Sequence, residues 1–200
     1  MIPGIVLAAG KSSRMGRAKS LLSIGNETFL SRVTRTLREG GVEDVIVVVG
    51  ADADAVRAAI ERDAMPVRVV YNADYEQGQL SSLLAALRAI DRPGVQAALV
   101  TLIDVPMIKP ETVSLLLAAY RSHHALIVRP ASRGRHGHPV ILDRALFPEL
   151  RAADLREGPK SVVHAHAADQ LNIDVEDEGP FTDIDTPEDY ERYISAKTKP

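Results

Sequence analysis

Residues 5–19 read IVLAAGKSSRMGRAK, an apolar run followed at once by a basic segment that contains two glycines. The apolar run, residues 5–9, is predicted to be a strand buried on both faces, because its side chains are apolar without alternation. Beyond Gly10, four cations follow in residues 11–19, namely Lys11, Arg14, Arg17 and Lys19. Such a local excess of charge indicates a site for a small anion.

Apolar runs and helical patterns alternate along the first 130 residues. Five short apolar runs are predicted to be strands, at residues 5–9, 44–49, 67–71, 97–103 and 125–128. The segments between them have helical patterns, at residues 29–37, 53–62, 80–90 and 111–120. Gly40 and Gly41 end the first helix, and Pro110 precedes the fourth. This alternation predicts an α/β protein with a doubly wound, parallel sheet.

The pattern changes after residue 130. RPASRGRHGHPVIL predicts a turn and then a strand at residues 138–142, and QLNIDV predicts a further strand. LFPEL and GPKSVVHAH are typical of short helices. DIDTPEDYERYIS predicts a strand end and a final helix, with Thr186 as cap, Pro187 at the first position and Asp189 in a capping box. We expect one domain over residues 1–200, with KTKP as a frayed tail.

Composition excludes several classes of protein. The chain has 200 residues, a net charge of −3 and no cysteine, which excludes disulfides, thiolate zinc sites and cysteine nucleophiles. No apolar run approaches the ~20 residues of a membrane span, and the first run is too short for a signal peptide. The slightly acidic balance does not favour nucleic acid. We therefore expect a cytoplasmic protein with no nucleic-acid or membrane partner.

The basic loop matches neither of two common phosphate-binding motifs. The dinucleotide fingerprint G-x-G-x-x-G is missing, and a P-loop needs four residues between its glycines where five separate Gly10 from Gly16. A third interpretation is a turn whose charges are simply solvated. Four cations beyond one strand end argue against that interpretation, because ligands of open α/β sheets bind at the carboxyl ends of strands.

The loop resembles the signature L-A-A-G-x-S-x-R-M-G-x-x-K of the MobA-like nucleotidyltransferases. Every fixed position matches: Leu7, Ala8, Ala9, Gly10, Ser12, Arg14, Met15, Gly16 and Lys19. Later segments extend the resemblance over nearly the whole chain. NADYEQGQLSSLLAAL is similar to the family's base-and-ribose segment, TLIDVPMI to its metal-binding D-x-P element, RGRHGHPVIL to its G-H-P hairpin and FTDIDTPEDY to its closing D-x-D-T-P-E-D.

The resemblance implies a Rossmann-like, GT-A-like fold: a doubly wound, mostly parallel sheet with a small C-terminal hairpin. The nucleotide-binding half would span residues 1–105 and the acceptor-binding half residues 106–195. The implied activity is Mg²⁺-dependent transfer of a nucleotide to a phosphorylated acceptor, with release of pyrophosphate. The most similar branch, molybdenum cofactor cytidylyltransferase, implies CTP, a molybdopterin-type acceptor and a molybdoenzyme partner. Two alternatives stay open: a sugar-phosphate or other phospho-acid nucleotidyltransferase, and a nucleotide-binding protein that delivers a cofactor without turnover.

The resemblance also implies roles for individual residues. The catalytic residues would be Arg14, Lys19 and Asp104. The nucleotide-binding residues would be Leu7, Ala8, Ala9, Gly10, Ser12, Arg14, Lys19, Asn72, Gly78 and Ser81. His138 and Lys160 would bind the acceptor, although relatives carry a G-A-R-like sequence around residue 160 where this chain has Gly-Pro-Lys. Asp104 and Asp185 would hold Mg²⁺, which prefers few carboxylates plus phosphates and water.

Some of these residues have a second interpretation. Asp183 could replace Asp185 as metal ligand, because residues two apart share one face of a strand. Ser12 could be a turn residue, and His138 could shape its hairpin. Ala9 stands where relatives that form guanine dinucleotides have glycine, so its methyl is predicted to narrow the base pocket in favour of CTP over GTP. The alternative is that Ala9 only packs the first strand against a helix.

Overall fold

The computed structural model describes the backbone of residues 1–197 and the side chains of residues 1–193. The strands are β1 (Gly4–Ala8), β2 (Ser23–Ile24), β3 (Glu27–Thr28), β4 (Val45–Val49), β5 (Arg68–Tyr71), β6 (Ala97–Leu102), β7 (Ile127–Ser132), β8 (Arg135–His136), β9 (Val140–Asp143) and β10 (Gln170–Asp174). The α-helices are α1 (Phe29–Glu39), α2 (Ala53–Arg62), α3 (Gln79–Ile90), α4 (Pro110–His123), α5 (Phe147–Ala152), α6 (Lys160–Ala165) and α7 (Pro187–Lys197).

One large sheet organises the chain, in the order β10-β7-β9-β6-β1-β4-β5, with β8 paired to β7. The pairs β6–β1, β1–β4, β4–β5 and β10–β7 are parallel, and β9 is antiparallel to both β6 and β7. The carboxyl ends of β1, β4 and β6 therefore lie at one edge, where open α/β sheets bind ligands.

Helices cover both faces of this sheet. Apolar residues of α1, α2 and α4 pack on one face in a core that includes Val6, Val47 and Leu99. Apolar residues of α3, α5 and α6 pack on the other face, around Ile5, Ile46 and Val100. Neighbouring residues of one strand thus enter opposite cores, which explains the continuous apolar runs of the sequence.

The structure confirms the predicted doubly wound, mostly parallel sheet with a C-terminal hairpin. Four of the five predicted N-terminal strands agree with β1, β4, β5 and β6 to within one residue at either end. The capping box of α7 is formed, because Thr186 Oγ1 accepts from the Asp189 amide at 3.2 Å and Asp189 Oδ2 accepts from the Thr186 amide at 3.2 Å. Of the tail predicted at residues 197–200, the part after Lys197 lies outside the described residues.

Two local predictions were wrong, and one element was missed. Residues 130–132, predicted as a turn, continue β7, and the chain turns at Arg133 and Gly134, which both have positive φ. Residues 183–185 do not form a strand, because the Ile184 amide donates to the Asp104 carbonyl (2.8 Å) rather than to a sheet neighbour. The short β2–β3 hairpin was not predicted.

None of the helices within residues 1–197 has both the length and the apolar character that a membrane crossing needs.

Candidate active site

The basic loop folds back on itself after β1. Ser12 has φ 49° and Gly16 has φ 66°, which are the left-handed conformations that a tight turn needs. The Ser12 carbonyl accepts from the Met15 amide at 2.9 Å, and Ser12 Oγ accepts from the Lys19 amide at 3.1 Å. The Met15 side chain is buried in the core. These contacts fix the backbone that presents Lys19.

Lys19 joins the loop to the ends of two distant segments. Its Nζ donates to Asp104 Oδ2 at 3.1 Å and to Asp185 Oδ1, and only 11% of its side chain is exposed. Asp104 lies two residues beyond β6. Its carbonyl accepts a hydrogen bond from the amide of Ile184, the residue between Asp183 and Asp185. Arg14, which is exposed, pairs with Asp185 Oδ2 at 3.0 Å. Two of the four cations of the loop, Arg14 and Lys19, therefore form one cluster with the two carboxylates. Lys11 instead pairs with Glu76, and Arg17 lies over the Tyr190 ring.

The acids of this cluster differ in the direction of their pKa shifts. The hydrogen bond from Lys19 lowers the pKa of Asp185 below its usual value, with help from the charges of Lys19 and Arg14. Burial raises the pKa of Asp183, and the nearby charges of Asp104 and Asp185 add to this effect. The lowered pKa of Asp185 favours the ionised form that binds cations, and its two oxygens already pair with Lys19 and Arg14. The raised pKa of Asp183 disfavours that form.

Asp104 and Asp185 fit a divalent metal. Asp104 Oδ1 is buried and hydrogen-bonds to none of the described residues, so it is an acceptor without a donor. Within residues 1–193, no group of three or more acidic or histidine side chains could hold a metal alone. An ion at Asp104 and Asp185 would therefore need further oxygens, as Mg²⁺ takes from phosphates and water.

A polar cavity of about 330 Å³ surrounds this cluster. Ten of the predicted site residues line it: Leu7, Ala8, Ala9, Gly10, Ser12, Arg14, Lys19, Gly78, Asp104 and Asp185. The lining also contains residues that were not predicted as site residues, among them Asp52, Tyr75, Gln79 and Ser82. Ser82, Tyr75 and Gln79 belong to the base-and-ribose segment, so the resemblance of that segment to the family could have identified them as site residues. Nothing local marked Asp52, which lies just before α2.

Two predicted nucleotide-binding residues, Asn72 and Ser81, do not line the cavity. Both are buried, and Asn72 Nδ2 donates to the hydroxyls of Ser81 (2.9 Å) and Ser82 (3.0 Å). Ser81 Oγ in turn donates to the carbonyls of Asp74 and Gly78, both at 2.8 Å. Their polar atoms are therefore used inside the protein, where they hold the segment that carries Gly78 at the cavity wall.

A second cavity, also of about 330 Å³, adjoins the first, and Leu7 and Gln79 line both. Its floor is apolar, with Leu83, Val100 and Leu142, and the predicted acceptor residues His138 and Lys160 lie in its wall. Burial lowers the pKa of His138, so its ring is neutral near pH 7. The structure thus brings His138 and Lys160 together beside the carboxylate cluster.

The comparisons with known proteins agree with this geometry. The MobA-like NTP transferase domain family matches residues 4–171. Nicotine blue oxidoreductase of Paenarthrobacter nicotinovorans is 31% identical over 96% of both chains. Molybdenum cofactor guanylyltransferase of Rhizobium johnstonii is 33% identical over 77% of this chain and 66% of its own, and molybdenum cofactor cytidylyltransferase of Escherichia coli is 26% identical over 98% and 95%.

Solved structures show the same architecture. Rv0371c of Mycobacterium tuberculosis superposes with a TM-score of 0.80 at 31% identity, over 98% of both chains. A complex of Rv0371c with manganese superposes with a TM-score of 0.75 at 28% identity, also over 98% of both chains.

The doubly wound sheet, with a cationic loop and paired carboxylates at its strand ends, agrees with the class of nucleotidyltransferases that the family match indicates. The chain belongs to the MobA-like NTP transferase domain family. It is accordingly an enzyme, and molybdenum cofactor cytidylyltransferase and guanylyltransferase are among its relatives.

Proposed function

We propose that the protein transfers CMP from CTP, in preference to GMP from GTP, to a molybdopterin-type phosphate and releases pyrophosphate. The observation that carries this proposal is the continuity of two unlike cavities: one with cations and two carboxylates, the other with an apolar floor and a basic wall. Relatives named for cytidylyl and guanylyl transfer to the molybdenum cofactor support the acceptor class. The other candidate acceptors are sugar phosphates and related phospho-acids, since the fold does not determine the acceptor.

In this proposal the loop binds the triphosphate. Arg14 and Lys19 offset its charge and stabilise the leaving pyrophosphate, one as a planar fork and the other as a point charge. Leu7, Ala8, Ala9 and Gly10 provide backbone that the nucleotide can approach, because a Cβ added at Gly10 would meet nothing within 4 Å. Ser12 acts first as the turn residue that holds Lys19. Asn72 and Ser81 support the wall at Gly78 rather than contact the nucleotide.

Asp104 and Asp185 hold the metal in this proposal, with Mg²⁺ as the expected ion. The unpartnered Oδ1 of Asp104 supports this assignment, as does the manganese complex of the structural neighbour. When bound, the metal supplies positive charge that neutralises the reacting phosphates.

Chemically, an oxygen of the acceptor phosphate attacks the α-phosphorus of CTP, and the bond from that phosphorus to the bridging oxygen of pyrophosphate breaks. No general base is needed, because a phosphate monoester is already ionised near pH 7. His138 and Lys160 position the acceptor phosphate, and Lys160 supplies the charge because burial disfavours a charged His138. The protein therefore acts by positioning and electrostatic stabilisation.

The decisive experiment measures pyrophosphate release for CTP and GTP with molybdopterin and with sugar phosphates. We expect release with CTP and molybdopterin, and a loss of roughly 10³-fold in Asp104→Asn, equivalent to several kcal/mol. Asp63→Asn, an exposed acid at the end of α2, is the matched control and should keep full activity. A folded protein that binds CTP but releases no pyrophosphate with any acceptor would instead be a cofactor-delivery protein.

A second candidate function is a redox reaction, which the 31% identity to nicotine blue oxidoreductase over nearly the whole chain favours. The same preparations can be tested for oxidation of reduced nicotinamide cofactors. Redox turnover that survives Asp104→Asn, without pyrophosphate release, would support this second function over nucleotide transfer.

A further inference from the structure

Arg129 is a cation of the β7–β8 hairpin that no acid among the described residues neutralises. It lies in β7 and lines the second cavity. Its Nε donates to Asn172 Oδ1 at 2.9 Å, in register across the β7–β10 pair. Its other N–H groups make no hydrogen bond or ion pair with any described residue. By contrast, Arg135 in β8 pairs with Glu178 at 2.6 Å and stacks on Phe181.

The environment of Arg129 is unfavourable for a lone charge. Arg129 is partly buried, and this burial lowers the pKa of its guanidinium from the ordinary value for arginine, with no opposing carboxylate among the described residues. Among the described residues, the lining of this cavity contains no aspartate or glutamate but has Arg129, Lys160, His136, His138 and His164. A partly buried cation that faces a cavity lined by no acid is well placed to bind an anion.

The basic side chains of the cavity fall into two groups, and the imidazoles of His136 and His138 are both neutral near pH 7 because burial lowers the pKa of each. The charges of Lys160, Asp104 and Asp183 act on the pKa of His138, so His138 lies near the carboxylate cluster. The charge of Arg129 acts on the pKa of His136. We call Arg129 and His136 the distal pair. β7 lies two strands away from β6, with β9 between them, so Arg129 is about 10 Å across the sheet from β6, which ends two residues before Asp104. The apolar floor lies between the two groups.

We infer that the distal pair binds a second anionic group of the acceptor, so that the acceptor is a phosphate monoester with another acidic group across an apolar body. This inference rests on the proposed function for the position of the reacting phosphate, which lies at Lys160 and His138. Arg129 is then a specificity-determining residue: it selects doubly anionic acceptors over simple phosphate esters. Asn172 orients the guanidinium of Arg129 through its hydrogen bond with Nε, and the remaining N–H groups of Arg129 stay available to the ligand.

The test uses two probes that differ in one group, phenyl phosphate and 4-carboxyphenyl phosphate. Calorimetric titration of the full chain should give a Kd for the carboxylated ester that is roughly tenfold lower, as expected for one charge-assisted hydrogen bond. Arg129→Gln should remove this preference, and Arg129→Lys should retain part of it. Arg133→Gln is the matched control, because Arg133 is exposed in the same hairpin and lines neither cavity.

Equal affinities of the wild type for the two esters, or a preference that persists in Arg129→Gln, would overturn the inference. So would undetectable binding of the carboxylated ester to the wild type. Because binding is measured without turnover, failure of the proposed function gives a different result: the preference would be present while pyrophosphate release is absent with every acceptor.

Discussion

At the scale of single residues, Lys19 lies between Asp104 and Asp185, the two carboxylates that we propose as metal ligands. Its ammonium bonds to both Asp104 and Asp185 in a largely buried position. A unit charge at 4 Å contributes about 1 kcal/mol even in water and more near a protein surface. Lys19 therefore competes with a divalent cation in the free protein, while a bound triphosphate would attract the same ammonium. Metal and nucleotide should consequently bind better together than separately.

Lys19→Met should have opposite effects on two ligands. We expect the affinity of the nucleotide-free protein for Mn²⁺ to rise roughly tenfold, because a competing charge is removed. The affinity for CTP should fall, because the triphosphate loses a counter-charge. Mn²⁺ titration by electron paramagnetic resonance and calorimetry with CTP measure the two effects. Lys11→Met, which removes an exposed lysine paired with Glu76, is the control. Unchanged Mn²⁺ affinity in Lys19→Met would contradict the competition.

Ala9 is the residue on which the proposed preference for CTP rests. It is 4% exposed, packs in the core beside α3 and also lines the first cavity. Ala9→Gly should relax the preference towards GTP, within the roughly 10–200-fold range that one methyl group supplies in a pocket. The measurement is kcat/KM for both nucleotides with a molybdopterin acceptor. Ala98→Gly, which removes a buried methyl from β6 outside both cavities, controls for lost packing. A wild type that prefers GTP would refute this role of Ala9.

The residues differ in how far the sequence could predict their positions. Lys19, Asp104 and Asp185 belong to motifs, and the structure brings them together. Asn72 and Ser81 belong to a motif too, but their hydrogen bonds are with each other and with the backbone, which residue identity alone does not reveal. Arg129 belongs to no motif. Its proposed role depends on its register with Asn172 and on the absence of an acid near it among the described residues, and neither can be read from the sequence.

At the scale of secondary structure, a histidine at the end of α6 connects two short helices. His166 Nε2 is 2.7 Å from Glu149 Oε2 on α5, and its Nδ1 is 3.4 Å from Asp169 Oδ2. The hydrogen bond to Glu149 raises the pKa of His166 above its ordinary value, and Asp169 adds to this. The same helix α6 carries Lys160 and His164 of the second cavity. The ion pairs therefore help to fix one wall of that cavity.

The stability from His166 should decrease as the pH rises. A group whose folded pKa is raised contributes fully below its unfolded pKa, about 6.5 for histidine, and the contribution is lost as the pH passes the folded pKa. His166→Gln should therefore lower Tm by about 2–4 °C at low pH, equivalent to about 1 kcal/mol for a partly exposed pair. At high pH it should have little effect. Thermal melts across this range test it, with His123→Gln as control. An equal loss of Tm at all pH values would contradict the charge-dependent role.

The predicted and observed boundaries of the strands differ where contacts with distant residues determine the structure. The buried strands β1, β4 and β6 were predicted because both their faces are apolar, a property of the residues themselves. The extension of β7 to Ser132 was not predicted, because Pro130 suggested a turn, whereas pairing with β10 and β8 holds the segment straight. The carbonyl of Asp104 likewise determines the conformation of residues 183–185. These partners are distant in sequence, so local patterns could not reveal them.

At the scale of the whole molecule, the two functional halves share one sheet and both cores. The strand β9 belongs to the predicted acceptor half, yet it pairs with β6 of the nucleotide half and lies between β6 and β7. One core contains Val6 together with Val128, and the other contains Ile5 together with Ile127. The alternation of strands and helices predicted a sheet, but it could not predict this strand order, which depends on contacts across the molecule.

We therefore predict that the two halves unfold as one unit. Separating them at residue 105 would leave β6 without β9 and would expose both shared cores to water, so neither half has a complete hydrophobic interior of its own. Hydrogen exchange in increasing urea, followed by mass spectrometry, should give the same midpoint for peptides from β1 and from β7. The isolated fragment of residues 106–195 should remain unfolded under the same conditions. Separate midpoints, or a fragment with native-like protection of β7, would instead establish two independent domains.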